Sequence, residues 1–188
     1  MHPTAEVSPG ATVGAGARIW HQAQVRERAV VGPGCIIGKG AYIGAGVTLG
    51  ANCKVQNYAC VYEGMTLEDG VFVGPEVVFT NDRYPRAVNP DGSLKNESDW
   101  EIGRTLVKYG AAIGSRSVVL PGLTIGRWAL IAAGSVVTRD VADHALVGGN
   151  PARPMGWVCM CARKLNEQLA CPACGRTYAL AGSGLALK

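Results

Sequence analysis

The chain has 188 residues with a formal net charge of +4, and 48% of its residues are hydrophobic. This length supports one principal core, and the charge does not indicate nucleic-acid binding because no basic run is interleaved with aromatic residues. No apolar run reaches the roughly 18 residues of a membrane span, and no basic-then-apolar leader precedes the first repeat. We therefore expect a cytoplasmic protein that neither inserts into a membrane nor binds nucleic acid.

A six-residue repeat runs from Val7 to Phe79. Every sixth residue is apolar: Val7, Val13, Ile19, Val25, Val31, Ile37, Ile43, Leu49, Val55, Val61, Leu67, Val73 and Phe79. The residue four positions later is usually small, as at Ala23, Ala29, Cys35 and Cys53. Two inward positions per six residues fit neither a helix nor a long strand. Each hexad therefore predicts a short strand followed by a corner.

Such a unit cannot bury its apolar face alone, so successive coils must stack into an all-β, parallel β-helix. Three hexads make one coil, and residues 18 apart form columns. One column contains Glu63 and Asn81. Another contains His21 and Asn57, with Gln56 beside it.

The repeat breaks at Thr80 and returns at Val107, so a polar insertion of about 80–105 leaves the β-helix at a corner. Loops of this length in a compact domain are usually functional. Asn81 stands where the insertion departs, and its amide oxygen can accept a hydrogen bond from an attacking amine. Tyr84 and Arg86 of the insertion, with Gln56 and Asn57, are candidate substrate contacts.

The hexads resemble those of the hexapeptide-repeat acyltransferases, and the runs KVQNYACVYEGMTLEDGVFVGPEVVFTND, YPRA and TLVKYGAAIG make the resemblance more specific. Over about residues 5–158 the chain resembles the N-acetyltransferases of UDP-2-acetamido-3-amino-2,3-dideoxyglucuronate in bacterial surface-polysaccharide (O-antigen) biosynthesis. This resemblance implies a left-handed β-helix, a homotrimer, acetyl-CoA as cosubstrate and a nucleotide-sugar substrate. Asp82, Arg83 and Tyr84 replace the aliphatic residue and Tyr-Asn that commonly follow the Thr-Asn pair, which leaves the sugar undetermined.

The implied reaction is direct attack of a neutral sugar amine on a thioester, which needs an orienting acceptor and a route for one proton. Asn81 is the candidate acceptor, and Glu63, one coil below, is the candidate base or second acceptor. The coenzyme sulfur is an alternative proton acceptor. His21, the one histidine inside the repeats, is a third catalytic candidate. It lies in another column, so it reaches the site only if a neighbouring subunit carries it across.

The resemblance also implies that pantetheine lies in a groove between two β-helices, against small outward residues. The candidates are Gly114, Ala132, Ala133 and Gly134. The run VGGNPARPMGW resembles the family's C-terminal cap and presents Arg153, which with Arg116 is a candidate contact for coenzyme phosphates.

After the cap, two close cysteine pairs suit a tetrahedral structural zinc: Cys159 with Cys161, and Cys171 with Cys174. Reduced cysteines without metal are the alternative. We expect a short helix over Ala162–Leu169 and an unanchored end over 181–188. The predicted organisation is a β-helix domain at 1–141, a cap at 142–158 and a zinc-knuckle-like tail at 159–188.

Two other functions remain open. An O-acetyltransferase acting on a sugar or small metabolite would share the fold, but the insertion lacks the histidine base that many relatives acylating hydroxyls use. A non-catalytic, zinc-binding β-helical interaction protein would leave the insertion unexplained.

Overall fold

The computed structural model describes residues 1–188 apart from the side chain of Glu97. In this described chain, short parallel strands, numbered in chain order, form the faces of a left-handed β-helix of about eight turns. The first face comprises β1 Glu6–Val7, β4 Gln24–Val25, β7 Tyr42–Ile43, β10 Cys60–Val61, β13 Val78–Phe79, β16 Val118–Val119 and β19 Val136–Val137. The second comprises β2 Thr12–Val13, β5 Val30–Val31, β8 Thr48–Leu49, β11 Met65–Leu67, β14 Thr105–Val107 and β17 Thr124–Ile125. The third comprises β3 Arg18–Ile19, β6 Ile36–Ile37, β9 Lys54–Val55, β12 Phe72–Val73, β15 Ala112–Ile113, β18 Leu130–Ile131, β20 Ala145–Gly148 and β21 Arg153–Trp157.

The core is a stack of the predicted inward residues. Ile37, Ile43 and Val55 are fully buried, and so are the small residues Ala23 and Cys35. Parallel pairing joins residues one coil apart, as in Ile37 with Val55, so each apolar side chain packs on its equivalents above and below. The predicted all-β parallel β-helix is confirmed, and so is the left-handed form that the resemblance implies.

The insertion occupies residues 80–104, between β13 and β14. Its two ends are held together at the base: the Gly103 amide donates to the Asn81 carbonyl at 2.9 Å, and Asp82 forms an antiparallel bridge with Ile102. A single 3-10 turn, Glu97–Asp99, lies in the C-terminal part of the insertion. The insertion is therefore a closed excursion over one corner of the β-helix.

The last coil continues directly into the C-terminal segment. Strand β20 pairs in parallel with β18, and β21 returns antiparallel to β20. Two further strands, β22 Tyr178–Ala181 and β23 Gly184–Leu187, form a hairpin. No helix of the described residues is both long and apolar enough to cross a membrane.

Two predictions for this segment are wrong. Residues 162–169 form turns and an isolated bridge rather than a helix, because the Asn166 side chain accepts hydrogen bonds from the amides of Gln168 and Ala170 and so stabilises a local turn. The end of the chain is anchored, since β23 pairs with β22 and the Leu185 amide donates to the Asp143 carbonyl at 3.2 Å.

Candidate functional site

A cavity of about 620 Å³ lies beneath the insertion, at the corner between the first and second faces. It is lined by Arg28, Glu63, Asn81, Lys95, Asn96, Trp100 and Ile102. The structure therefore brings together the two residues that the column places one above the other, Glu63 and Asn81. The insertion forms the remaining wall.

The strand register sets the positions of Glu63 and Asn81. Val61 pairs with Phe79 in adjacent coils, and each of these buried residues lies two positions before its site residue. Gly44 lies beneath the corner that carries Glu63, where a Cβ atom would stand only 2.8 Å from the Glu63 amide nitrogen. A side chain at position 44 would thus displace this corner, so glycine is required for the coils to approach closely.

The cavity has a positive and aromatic lining. The Arg28 guanidinium lies 3.9 Å from the Glu63 carboxylate, and the two side chains are 70% and 46% exposed. Lys95 adds a second cation, and the Trp100 ring is 51% exposed. Arg28 was identifiable from sequence because it immediately follows Glu27, which lies 36 residues, or two coils, before Glu63 in the same column. Lys95 and Trp100 carried no such signal, since only the path of the insertion brings them to this corner.

Asp99 orders the insertion beside the cavity. Its carboxylate accepts the Asn96 amide at 2.9 Å and the Asn89 side-chain amide at 3.2 Å, while the Asn96 side chain accepts the Ser98 amide. Hydrogen bonding from the Asn96 amide, and then from Asn89, lowers the pKa of Asp99 below its ordinary value. This capping box holds the segment that carries Lys95 and Trp100.

The predicted substrate contacts in the insertion do not line this cavity. Tyr84 is 71% exposed, and its amide donates to the Asp82 carboxylate at 2.8 Å in a local turn. The Arg86 guanidinium donates to the neighbouring Pro85 carbonyl. Both side chains are exposed to solvent, so neither predicted contact reaches the cavity.

A second predicted column lies on a different edge, between the third and first faces. There the Asn57 side chain accepts the Lys39 amide at 2.9 Å, and Gln56 is half-buried beside it. The His21 ring stacks on His2 with a centroid distance of 3.4 Å. None of the three predicted residues, His21, Asn57 and Gln56, lines the described cavity within one chain.

The four small residues predicted to contact pantetheine form a coenzyme corner on that same edge. Gly114, Ala132, Ala133 and Gly134 form turns in adjacent coils, and the Gly134 amide donates to the Ser115 carbonyl at 2.8 Å. A Cβ on Gly114 would collide with the Ala133 backbone. The small residues thus allow adjacent coils to approach closely at this corner.

Arg116 at this corner already forms an ion pair with Glu76. Its Nε donates to Glu76 at 2.7 Å, and this hydrogen bond raises the pKa of Arg116. A phosphate would have to compete with Glu76 for its guanidinium. Arg153 is freer and lines a separate cavity of about 170 Å³ that also contains Arg139, a cation that the sequence pattern did not single out.

The four cysteines predicted as metal ligands come together in the C-terminal appendage, residues 159–188. The sulfur atoms of Cys159, Cys161, Cys171 and Cys174 all lie within 4.8 Å of one another. None of them lines the cavity that contains Asn81. The donor set suits a soft or borderline metal such as zinc.

Comparisons with known proteins support the repeat and the fold. A family model, the hexapeptide repeat of succinyl-transferase, matches residues 28–57 and 110–139. Over 80 residues the chain is 52% identical to the dTDP-3-amino-3,6-dideoxy-alpha-D-galactopyranose 3-N-acetyltransferase of Aneurinibacillus thermoaerophilus, covering 41% of each protein. Over 109 residues it is 33% identical to the galactoside O-acetyltransferase of Lactococcus lactis, covering 55% of this chain and 48% of that protein. The chain thus spans less than half the length of these two relatives.

Among solved structures, the chain is similar to a hexapeptide-repeat acetyltransferase from Vibrio cholerae complexed with acetyl coenzyme A. The TM-score is 0.55 at 24% identity, covering 79% of this chain and 70% of that chain. This similarity establishes the fold.

Proposed function

Because this chain belongs to the hexapeptide-repeat acetyltransferase family, we propose that it transfers an acetyl group from acetyl-CoA to the amino group of a nucleotide-linked amino sugar. The observation that carries this proposal is the meeting of Asn81 and Glu63 in one cavity under the insertion. The 52% identity to a sugar-nucleotide 3-N-acetyltransferase supports the choice of an amine acceptor.

The chemistry follows from these two side chains. The Asn81 amide oxygen accepts a hydrogen bond from the sugar amine and directs its lone pair at the thioester carbon. A C–N bond forms, the tetrahedral intermediate collapses, and the C–S bond breaks. The proton lost from nitrogen passes to Glu63 or to the departing thiolate, so no covalent enzyme intermediate is needed.

The cavity lining supports an anionic, aromatic substrate. Arg28 and Lys95 can neutralise a diphosphate or a sugar carboxylate, and the exposed face of Trp100 offers a stacking surface for a base. These features favour a UDP-linked 3-amino glucuronic acid derivative, the sugar that the motif resemblance implies. A 6-deoxy sugar such as the one named for the Aneurinibacillus relative would use the same cations for its diphosphate only.

The distribution of residues over two edges supports a homotrimer. Asn81 and the coenzyme corner lie on different edges of one β-helix, so a complete site requires a second copy. Glu76 lies five residues before Asn81 in the same coil, and Arg116 sits one coil above Glu76. With a three-fold axis parallel to the β-helix, a neighbour would present Gly114 and Arg116 close to the height of Asn81.

The same geometry weakens the case for His21. It lies 60 residues before Asn81, or about 3.3 coils, which at about 4.8 Å per coil is roughly 16 Å along the axis. Three-fold symmetry about a parallel axis preserves this height. Asn57 and Gln56 lie near the height of Glu63 and are better placed, so we propose them as contacts supplied by the neighbour.

The deciding experiment measures release of coenzyme thiol with a panel of nucleotide-linked amino sugars. The panel pairs uracil with thymine nucleotides, 3-amino with 3-hydroxy sugars, and sugars with and without a C6 carboxylate. We expect turnover to require the amine and to be highest for the carboxylated sugar. Turnover that depends on a hydroxyl would favour O-acetylation, and inactivity on every sugar nucleotide would refute the proposal. Because the chain uses reduced cysteines and acetyl-CoA, we place this reaction in the cytoplasm.

A further inference from the structure

The cysteine cluster of the appendage has the dimensions of a filled metal site. The sulfur of Cys159 lies 3.5 Å from that of Cys174, and the sulfur of Cys161 lies 3.5 Å from Cys171 and 3.7 Å from Cys174. Four sulfurs around zinc at about 2.3 Å stand about 3.8 Å apart, whereas a disulfide brings two sulfurs to about 2.05 Å. These three distances are close to the spacing in a tetrahedral tetrathiolate and are too long for disulfides.

We propose that these four cysteines bind one structural zinc ion, and that the metal holds the appendage in place against the last coil of the β-helix. Four protein ligands leave no open position for water or substrate, which is the arrangement of a structural rather than a catalytic site. The inference is independent of the proposed acetyl transfer, because none of the four cysteines lines the cavity of Asn81.

Neighbouring donors support the thiolate form of the ligands. The Tyr178 hydroxyl donates to the Cys159 sulfur at 3.1 Å, and the Arg176 guanidinium donates to the Cys174 sulfur at 3.2 Å. Zinc with four thiolates carries a charge of −2, and Arg176 offsets part of it. Such outer hydrogen bonds orient the ligands and tune the metal affinity.

The connection to the β-helix runs through Tyr178 and Trp157. Tyr178 is buried, and its ring lies 4.9 Å from the ring of His144. His144 is also buried, and its Nδ1 lies 2.9 Å from the carbonyl oxygen of Val158, immediately before the first ligand. Trp157 packs against both the β-helix core and the small core around Cys159. Fixing the ligands therefore fixes the residues that cover the open end of the β-helix.

The first test measures the metal in the full-length, reduced protein. We expect one zinc per chain by elemental analysis, and the absorption bands of tetrahedral cobalt thiolate after exchange with cobalt. The double variant Cys171→Ser/Cys174→Ser should lose both signals. Cys60→Ser, a half-buried cysteine outside the cluster, is the matched control and should keep them. Free thiols at all four cysteines of the cluster, with no retained zinc or cobalt, would overturn the site.

The second test distinguishes zinc binding from the proposed role of zinc in holding the appendage against the last coil. Tyr178→Phe removes one hydrogen bond to a ligand, so we expect zinc affinity to fall by roughly 10- to 100-fold with the stoichiometry unchanged. Chelation of zinc should increase hydrogen exchange in the appendage and at residues 141–158. Hydrogen exchange at 141–158 that is unchanged by chelation would refute the proposal that zinc holds the appendage against the last coil. Loss of turnover without increased exchange would indicate a catalytic metal instead.

Discussion

Gly44→Ala tests whether close stacking of the coils sets the position of Glu63. The added Cβ would stand 2.8 Å from the Glu63 amide nitrogen and 3.0 Å from the Tyr62 carbonyl carbon. Ordinary contact begins near 3.4 Å, so the corner must move by about 0.6 Å. Both obstructing atoms belong to the backbone, so rotation of a side chain cannot relieve the overlap.

The displacement gives two expected magnitudes. Overpacking at such a site costs about 1–3 kcal/mol of folding stability. A displacement of about 1 Å in a catalytic group can cost about 100-fold in rate, so about 0.6 Å predicts a loss of roughly 10- to 20-fold in kcat. The substrate KM should change less, because Lys95 and Trp100 lie on the insertion and are not displaced.

The assay combines thermal unfolding with amine-dependent thiol release on the purified, assembled protein. Gly10→Ala is the matched control, because it lies at the same edge of the first coil and its Cβ would meet nothing closer than 3.7 Å. We expect Gly10→Ala to keep the Tm and kcat of the parent protein, or to raise the Tm slightly by restricting the unfolded chain.

Two results would contradict this reasoning in different ways. An unchanged Tm for Gly44→Ala would mean that the corners do not approach as the structure describes. A lowered Tm with full kcat would mean that the position of Glu63 does not matter for the reaction, which would remove Glu63 from the proposed site.

Other predictions concern the acceptor, the insertion and the assembly. Asn81→Ala should remove on the order of 2–4 kcal/mol of transition-state stabilisation and so lower kcat/KM about 30- to 900-fold, and a near-normal enzyme would refute its role. Glu63→Gln should lower kcat/KM by as much if Glu63 is the base, and by less if the coenzyme sulfur takes the proton. Because the pKa of Asp99 is lowered by Asn96 and Asn89, its stabilisation is present above about pH 4 and is lost as the pH falls through the lowered value. The protection of the amides of residues 86–100 against hydrogen exchange, taken relative to their intrinsic rates at each pH, should therefore fall in acid, whereas Asp99→Ala should show low protection already at neutral pH. Protection in the parent protein that does not change with pH would contradict this. Sedimentation should give a trimer, and an active monomer would exclude a site completed by a second copy.

Much of the fold was accessible from sequence because the signal is local and repeated. Each hexad specifies one inward apolar residue and one small residue, and stacking at intervals of 18 residues follows from the strand spacing. The same rule predicted that Glu63 and Asn81 share a column. Both line the same cavity, so this part of the site is a direct consequence of the periodicity.

The sequence by itself thus determined the β-helix, the column of Glu63 and Asn81, and the grouping of four cysteines. Only the tertiary structure decided which insertion residues reach the cavity, because Lys95 and Trp100 are placed by the capping box and the closed base of the loop while Tyr84 turns away. It also decided that 162–169 is not helical and that β23 is anchored. These outcomes depend on hydrogen bonds between particular side chains and distant backbone groups, such as Leu185 with Asp143, and no periodic pattern in the chain records such contacts.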